Sequence, residues 1–187
     1  MKGKDYIMNN KINWVECDGG PHILIAKKFL SVWKGETEEE YQKAEEYYEE
    51  AGLIDDYIGL LNIGSGKCIV ISDDVTSSTW LSDNNTNGYI VVVNYISDCY
   101  IDEEIEFDTL FNEISKIADE QFVDTNLIYH VTDEELYLIA ACDFGKEWLY
   151  NYCKLNLLAG NYCIKMIEEY IVDESSFRLF KFSRLVK

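Results

Sequence analysis

WVECDGGPHILI, residues 14–25, gathers Cys17, Asp18 and His22 around a Gly-Gly-Pro. Three readings compete: a nucleophile beside its base, the start of a phosphate-binding loop, or a turn between two strands. Period-two alternation favours the third. Trp14 and Glu16 alternate with Val15 and Cys17, and beyond the glycines His22 and Leu24 face one way while Ile23 and Ile25 face the other. Asp18-Gly19-Gly20 supplies the positive-φ positions of a tight turn. Pro21, which has no N–H to donate to a ladder, sets the start of the next strand at a sheet edge. Cys17 is then expected to be a small buried apolar group, and no known nucleophile signature surrounds it.

Composition narrows the class. The chain has 187 residues, long enough to bury roughly 70% of its unfolded surface. At 48% hydrophobic it is far too apolar for a disordered chain, which marks it as globular. Six cysteines without a Cys-x-x-Cys pair, and two histidines, lack the spacing of a tetrahedral zinc site. They are expected as reduced, mostly buried thiols. No apolar targeting segment or membrane-length run occurs, so a soluble cytoplasmic protein is expected. The formal net charge of −19 disfavours nucleic acid and anionic membrane and favours cationic partners, although solvation alone also accounts for an acidic surface.

Periodicity supplies the elements. TEEEYQKAEEYYEEAG (37–52) carries a capping box at Thr37 and Glu40 and an apolar stripe of Tyr41, Ala44, Tyr48 and Ala51, with Gly52 at the left-handed stop position. A second helix, about 102–118, repeats Phe107, Leu110, Phe111, Ile114, Ile117 and Ala118, with Asp102, Glu103 and Glu104 in its first turn. YIGLLNI and KCIVIS flank the hairpin turn Gly64-Ser65-Gly66, and GYIVVVNYI (88–96) reads as a central strand. Five further apolar runs follow, with Asp173-Glu174-Ser175-Ser176 as a polar turn before the last. The expected fold is α+β: mostly antiparallel β-sheets with two amphipathic helices (about 37–51 and 102–118). Residues 12–187 are expected to form a single compact domain of two closely packed halves, 12–118 and 119–187.

Other chemistry is poorly supported. IGSGKC has Leu61 and Cys68 where a phosphate loop needs Gly and Ser or Thr. SDNNTNGYI places Asp83, Asn85, Asn87 and Gly88 at calcium-loop spacing, but Asn94 stands where the bidentate Glu belongs, so an Asn/Gly turn is the better reading. Runs such as Glu38-Glu39-Glu40 look like a solvated face rather than a split carboxylate pair. No catalytic, cofactor or metal residue is assigned.

The order of short motifs is more specific than any one of them. Trp14, Asp18-Gly19-Gly20-Pro21, Trp33-Lys34-Gly35, Asp55-Asp56-Tyr57-Ile58-Gly59, Gly64-Ser65-Gly66 and Thr79-Trp80-Leu81, with a closing Leu157-to-Tyr162 pattern, resemble the immunity protein 21 family of bacterial polymorphic toxin systems. The likeness extends over nearly the whole chain from about residue 12. Cys17 departs from the small Ser or Asp-like residue expected before Asp-Gly-Gly-Pro, and the acidic helix is longer and more charged than the pattern requires. The resemblance implies a cytoplasmic antidote that binds and blocks a cognate toxin, without catalysis or cofactor. The motif residues Trp14, Asp18, Gly19, Gly20, Pro21, Trp33, Gly35, Asp56, Tyr57, Gly64, Gly66 and Trp80 mark its scaffold.

Charge suggests where the partner would sit. Residues 36–56 carry ten acids and one lysine, and 98–108 carry six acids and no base. Nuclease toxins are basic because they hold phosphates. Glu45, Glu46, Glu49, Asp102, Glu103 and Glu106 are therefore expected at or beside the interface, with exposed tyrosines as anchors. The competing functions are a small hydrolase using Cys17 and His22 or an acidic pair, and an acidic regulatory module that binds a basic host protein.

Overall fold

A computed structural model describes residues 12–35, 45–72, 74–82, 84–97, 107–132, 135–143 and 151–186. The elements in chain order are β1 (Val15–Glu16), β2 (His22–Ala26), α1 (Glu45–Gly52), β3 (Ile58–Ile63), β4 (Gly66–Ile71), β5 (Ser77–Leu81), β6 (Asn87–Tyr95), α2 (Phe107–Ser115), β7 (Val123–Val131), β8 (Glu135–Ala140), β9 (Tyr152–Asn156), β10 (Gly160–Val172) and β11 (Ser175–Arg184). Single 3-10 turns follow β2 and precede β7. The fold is α+β and mostly antiparallel sheet, as expected.

Two sheets form. The larger has the order β1-β5-β6-β11-β10-β7 and the smaller β3-β4-β2-β8-β9. Both draw on early and late parts of the chain. Alternation along the central strands of the larger sheet sorts their side chains to two faces. Ile90 and Val92 of β6, Ile164 of β10, and Phe180 and Phe182 of β11 join the core shared with the smaller sheet. Val91, Val93, Phe177 and Leu179 point the opposite way, where Leu110 and Ile114 hold α2 against them and Ile117 packs just beyond its end. Each such aliphatic side chain, once buried, contributes about 1.5–3 kcal/mol. That explains the unbroken apolar run Tyr89–Val93 within GYIVVVNYI: both faces of β6 are covered there.

Turn chemistry largely follows the sequence. Ile63 pairs with Gly66 across a two-residue loop in which Gly64 has φ +54, the Gly-X pattern of a II′ hairpin. The Asn-rich stretch before β6 is an Asx turn: Asn84 Oδ1 accepts from the N–H groups of Thr86 (2.8 Å) and Asn87 (3.0 Å). From Asn87 onward the backbone is strand.

Three expectations change. Gly52 is the last residue of α1 and is not left-handed; the helix ends instead in 3-10 bonds from Leu53 N–H to Glu50 O and Ile54 N–H to Ala51 O. Ala118 is exposed beyond the end of α2, because the chain has already turned into the 3-10 segment. Among the five described cysteines only Cys68 and Cys153 are buried, while Cys17, Cys142 and Cys163 are half-buried. The capping box at Thr37 and Glu40, with Tyr41 and Ala44, lies outside the described residues. No helix among the described residues is long and apolar enough to cross a membrane.

Candidate functional site

The Gly-Gly-Pro stretch does not close a hairpin. β1 pairs with β5 in the larger sheet, and β2 lies between β4 and β8 in the smaller one. Asp18-Gly19-Gly20-Pro21 therefore carries the chain from one sheet to the other. Gly19 (φ +105) and Gly20 (φ +128) take the positive dihedrals that the crossing requires. Pro21 precedes a central strand rather than an edge, and its carbonyl accepts from the N–H of Ala141 at 2.9 Å.

This crossing brings the thiol and the imidazole together. His22 Nε2 lies 3.1 Å from Cys17 Sγ, and His22 Nδ1 lies 2.6 Å from Ser78 Oγ on β5. Cys17 Sγ is also 3.0 Å from Val75 O, to which the thiol donates. Burial lowers the His22 pKa to about 4. Burial raises that of Cys17, and the charges of Asp143 and Asp18 add to the rise against a lowering bond from the Gly19 backbone. Both shifts oppose a thiolate–imidazolium pair, so the two groups rest as neutral hydrogen-bonding partners. The fully buried imidazole, on a strand of one sheet and bonded to a serine of the other, works as a polar bolt between them. Cys17 is thus a hydrogen-bonded, half-buried thiol rather than the apolar filler expected of it. The signal was present in the sequence: four residues, among them a glycine pair, separate Cys17 from His22, and such a loop can fold the two side chains together.

The remaining motif residues have packing and turn roles elsewhere in the two sheets. Trp33 Nε1–H donates to Ala141 O at 2.9 Å, and Trp33 stacks on Tyr47 of α1. Gly35 (φ +60) approaches the turn after β8 so closely that a Cβ would lie 2.3 Å from Cys142 O. Ser72 binds the loop before β3, its hydroxyl donating to Asp56 O and its N–H to Tyr57 O at 3.2 Å. The Tyr57 ring covers the Arg178 guanidinium at 3.8 Å, and its hydroxyl donates to Glu168 of β10. Trp80 lies over Gly88, where a Cβ would sit 2.2 Å from the indole, and meets Phe182 edge-on at 5.5 Å. The Phe29 ring occupies the space beside Gly66 that a Cβ would fill. Trp14 is half-buried against the α2 side of the larger sheet.

Of the acids expected at an interface, Glu49 is exposed on α1, beside the buried Ala51 and the half-buried Tyr47 and Tyr48. Glu45 and Glu46 belong to α1, but their side chains, and Asp102, Glu103 and Glu106 altogether, lie outside the described residues. Four lysines are paired to two other acids. Lys165 and Lys181 meet Asp119, and Lys27 and Lys154 meet Glu135, holding each carboxyl at a pKa of about 2.

Residues 13–120 match the family described as Immunity protein 21. No curated protein and no solved structure matches the chain. The match is shorter than the likeness expected from motif order, and the Leu157-to-Tyr162 pattern falls beyond it. It nevertheless contains the Gly-Gly-Pro crossing, Trp33-Lys34-Gly35, Asp56-Tyr57, the Gly64–Gly66 turn and Trp80, the residues that in this fold join one sheet to the other or shape their turns. The order of those motifs, their architectural roles and the match over more than half the sequence agree: the chain belongs to the immunity protein 21 family.

Proposed function

We propose that this protein is a cytoplasmic antidote that binds a cognate toxin of a polymorphic toxin system directly and thereby blocks it. The observation that carries this reading is the family match over residues 13–120. An antidote must reach its target quickly, and a surface of one dominant sign raises association rates to about 10⁸ M⁻¹s⁻¹ at low salt, against about 10⁵–10⁶ for neutral docking. A net charge of −19 suits that task if the toxin is basic. Glu45, Glu46, Glu49, Asp102, Glu103 and Glu106 lie at or beside the contact in this reading. Residues 12–187 act as a single domain, and the sharing of both sheets between residues 12–118 and 119–187 supports that.

The test is association of this protein with the toxin domain encoded beside its gene, measured by stopped flow across a salt series. Lysine at those six acidic positions is expected to lower the rate at low salt about tenfold or more and to flatten its salt dependence. An unchanged rate and slope would refute steering by these residues.

One observation favours a second reading, a thiol hydrolase: the 3.1 Å approach of Cys17 Sγ to His22 Nε2. The raised thiol and the depressed imidazole weigh against it, because such a nucleophile needs the thiolate.

A further inference from the structure

The β10–β11 hairpin ends in a ledge whose floor is apolar and whose rim is acidic. Ile171 of β10 and Tyr95 of β6 both pair with Ser176 of β11, so the three share one row and one face. That face is the one directed toward the smaller sheet, because Phe177 and the flanking Val93, Tyr170 and Val172 belong to the α2 side. Tyr57 is packed against Arg178 two residues along β11 and marks a wall of the ledge. Beyond it Tyr95 is 58% and Ile171 64% exposed.

The strands are shaped at this point. β10 sets two residues, Glu168 and Glu169, opposite the single Arg178, and β6 gains Asn94 between its pairs with Ser176 and Phe177. Bulges re-aim side chains and end regular pairing, and here two of them flank the same stretch of β11. Asn94 spans them, donating from Nδ2 to Glu168 O at 3.2 Å. Ser176 Oγ–H donates to Glu169 Oε1 at 3.3 Å. Glu168, Glu169 and Glu174 are exposed around the apolar pair.

The described end of α1 reaches the ledge along the chain. α1 leads through the exposed Leu53, Asp55 and Asp56 directly into Tyr57. At the other side Ser175 Oγ accepts from the N–H of Ser97 at 3.1 Å, fixing the residue that follows β6 and Ile96 beside β11.

We infer that the ledge formed by Tyr95 and Ile171, rimmed by Glu168, Glu169 and Glu174, is the docking surface for a basic protein, the cognate toxin. The inference rests on the toxin-binding reading above and gives that reading a location. Charge selects the occupant. A second copy of this chain would set the same carboxylates against one another, and nucleic acid would be repelled, whereas a cationic protein surface neutralises the rim while an aromatic and an aliphatic anchor are covered.

The test is calorimetric titration of the full chain with the toxin domain encoded beside its gene. Variants are Tyr95→Ala, Ile171→Ala and the rim reversal Glu169→Lys with Glu174→Lys, each checked for wild-type unfolding behaviour. All positions are exposed, so folding is expected to survive. Expected are weakening by about 30-fold or more for Tyr95→Ala and a loss of salt dependence for the rim reversal. If the wild type binds and all three variants bind equally well, the ledge is overturned while toxin binding stands. If the wild type does not bind, both fall. If sedimentation shows a homodimer that Ile171→Ala dissociates, the occupant is a second copy and the assignment to a toxin is overturned.

Discussion

His22 makes the sheet junction sensitive to acid in a window that lies mostly above that of Asp119 and Glu135. The imidazole is fully buried and neutral, with its pKa lowered from 6.5 to about 4. Between those values the unfolded chain binds a proton that the folded one refuses. Stability is therefore complete above pH 6.5, falls as pH drops through the window, and reaches its lower limit near the folded pKa. At about 1.4 kcal/mol per pH unit, the gap between 6.5 and about 4 corresponds to a loss of about 3 kcal/mol. Asp119 and Glu135 also have depressed pKa values, but their stabilisation is lost only from their ordinary values of 3.8 and 4.5 down to about 2. The assay is urea unfolding at half-unit steps from pH 7.5 to 4.5, for the wild type and for His22→Gln. The glutamine variant loses roughly 1–3 kcal/mol at neutral pH through imperfect replacement of two buried hydrogen bonds. Relief of carboxylate repulsion affects both proteins alike and cancels in the difference. The wild-type advantage should shrink steadily below pH 6.5. Parallel profiles for the two proteins down to pH 4.5 would refute the assignment of a buried neutral imidazole.

Three shorter expectations follow from backbone and thiol geometry. The β10–β11 turn places Asp173 (φ +44) and Glu174 (φ +67) both in the left-handed region, so Glu174→Gly should raise stability by about 0.5–1 kcal/mol, and a lower urea midpoint would contradict this. Gly35→Ala meets the Cys142 carbonyl at 2.3 Å as well as a positive φ and should cost roughly 2–4 kcal/mol, clearly more than Gly19→Ala, where no atom lies within 4 Å. Cys17 should react with iodoacetamide at pH 7.5 more slowly than a small-peptide thiol, as followed by mass spectrometry; faster reaction would restore the hydrolase reading.

How far the sequence could be read depended on the range of each signal. The Gly64-Ser65 hairpin, the apolar face of α2 and the buried run of β6 were all legible because period and turn chemistry act over a few residues. The five late apolar runs likewise carry the pattern of strands, β7 to β11. Their partners were not legible, since β7 pairs with β10 and β8 inserts beside β2. The motif residues were visible as a pattern, but their roles were not: nothing within Asp56-Tyr57 reveals that the ring will lie on Arg178, and nothing in Trp33-Lys34-Gly35 points to the carbonyl of Cys142. The ledge was missed altogether. Tyr95 and Ile171 lie in apolar strands that look buried, and two bulges with the end of the smaller sheet leave them open.

Taken alone, the sequence determined most of the described strands and the core of α2, the bends at Gly19, Gly20 and Gly64, and a strongly acidic composition. The tertiary structure decided which sheet each strand enters, that Gly19 and Gly20 cross between sheets rather than reverse within one, and that Cys17, His22 and Ser78 meet. The reason is physical. A strand's backbone donors and acceptors are the same whatever its side chains, so the pairing of distant strands is selected by burial summed over the whole core, a quantity that no single stretch of residues carries.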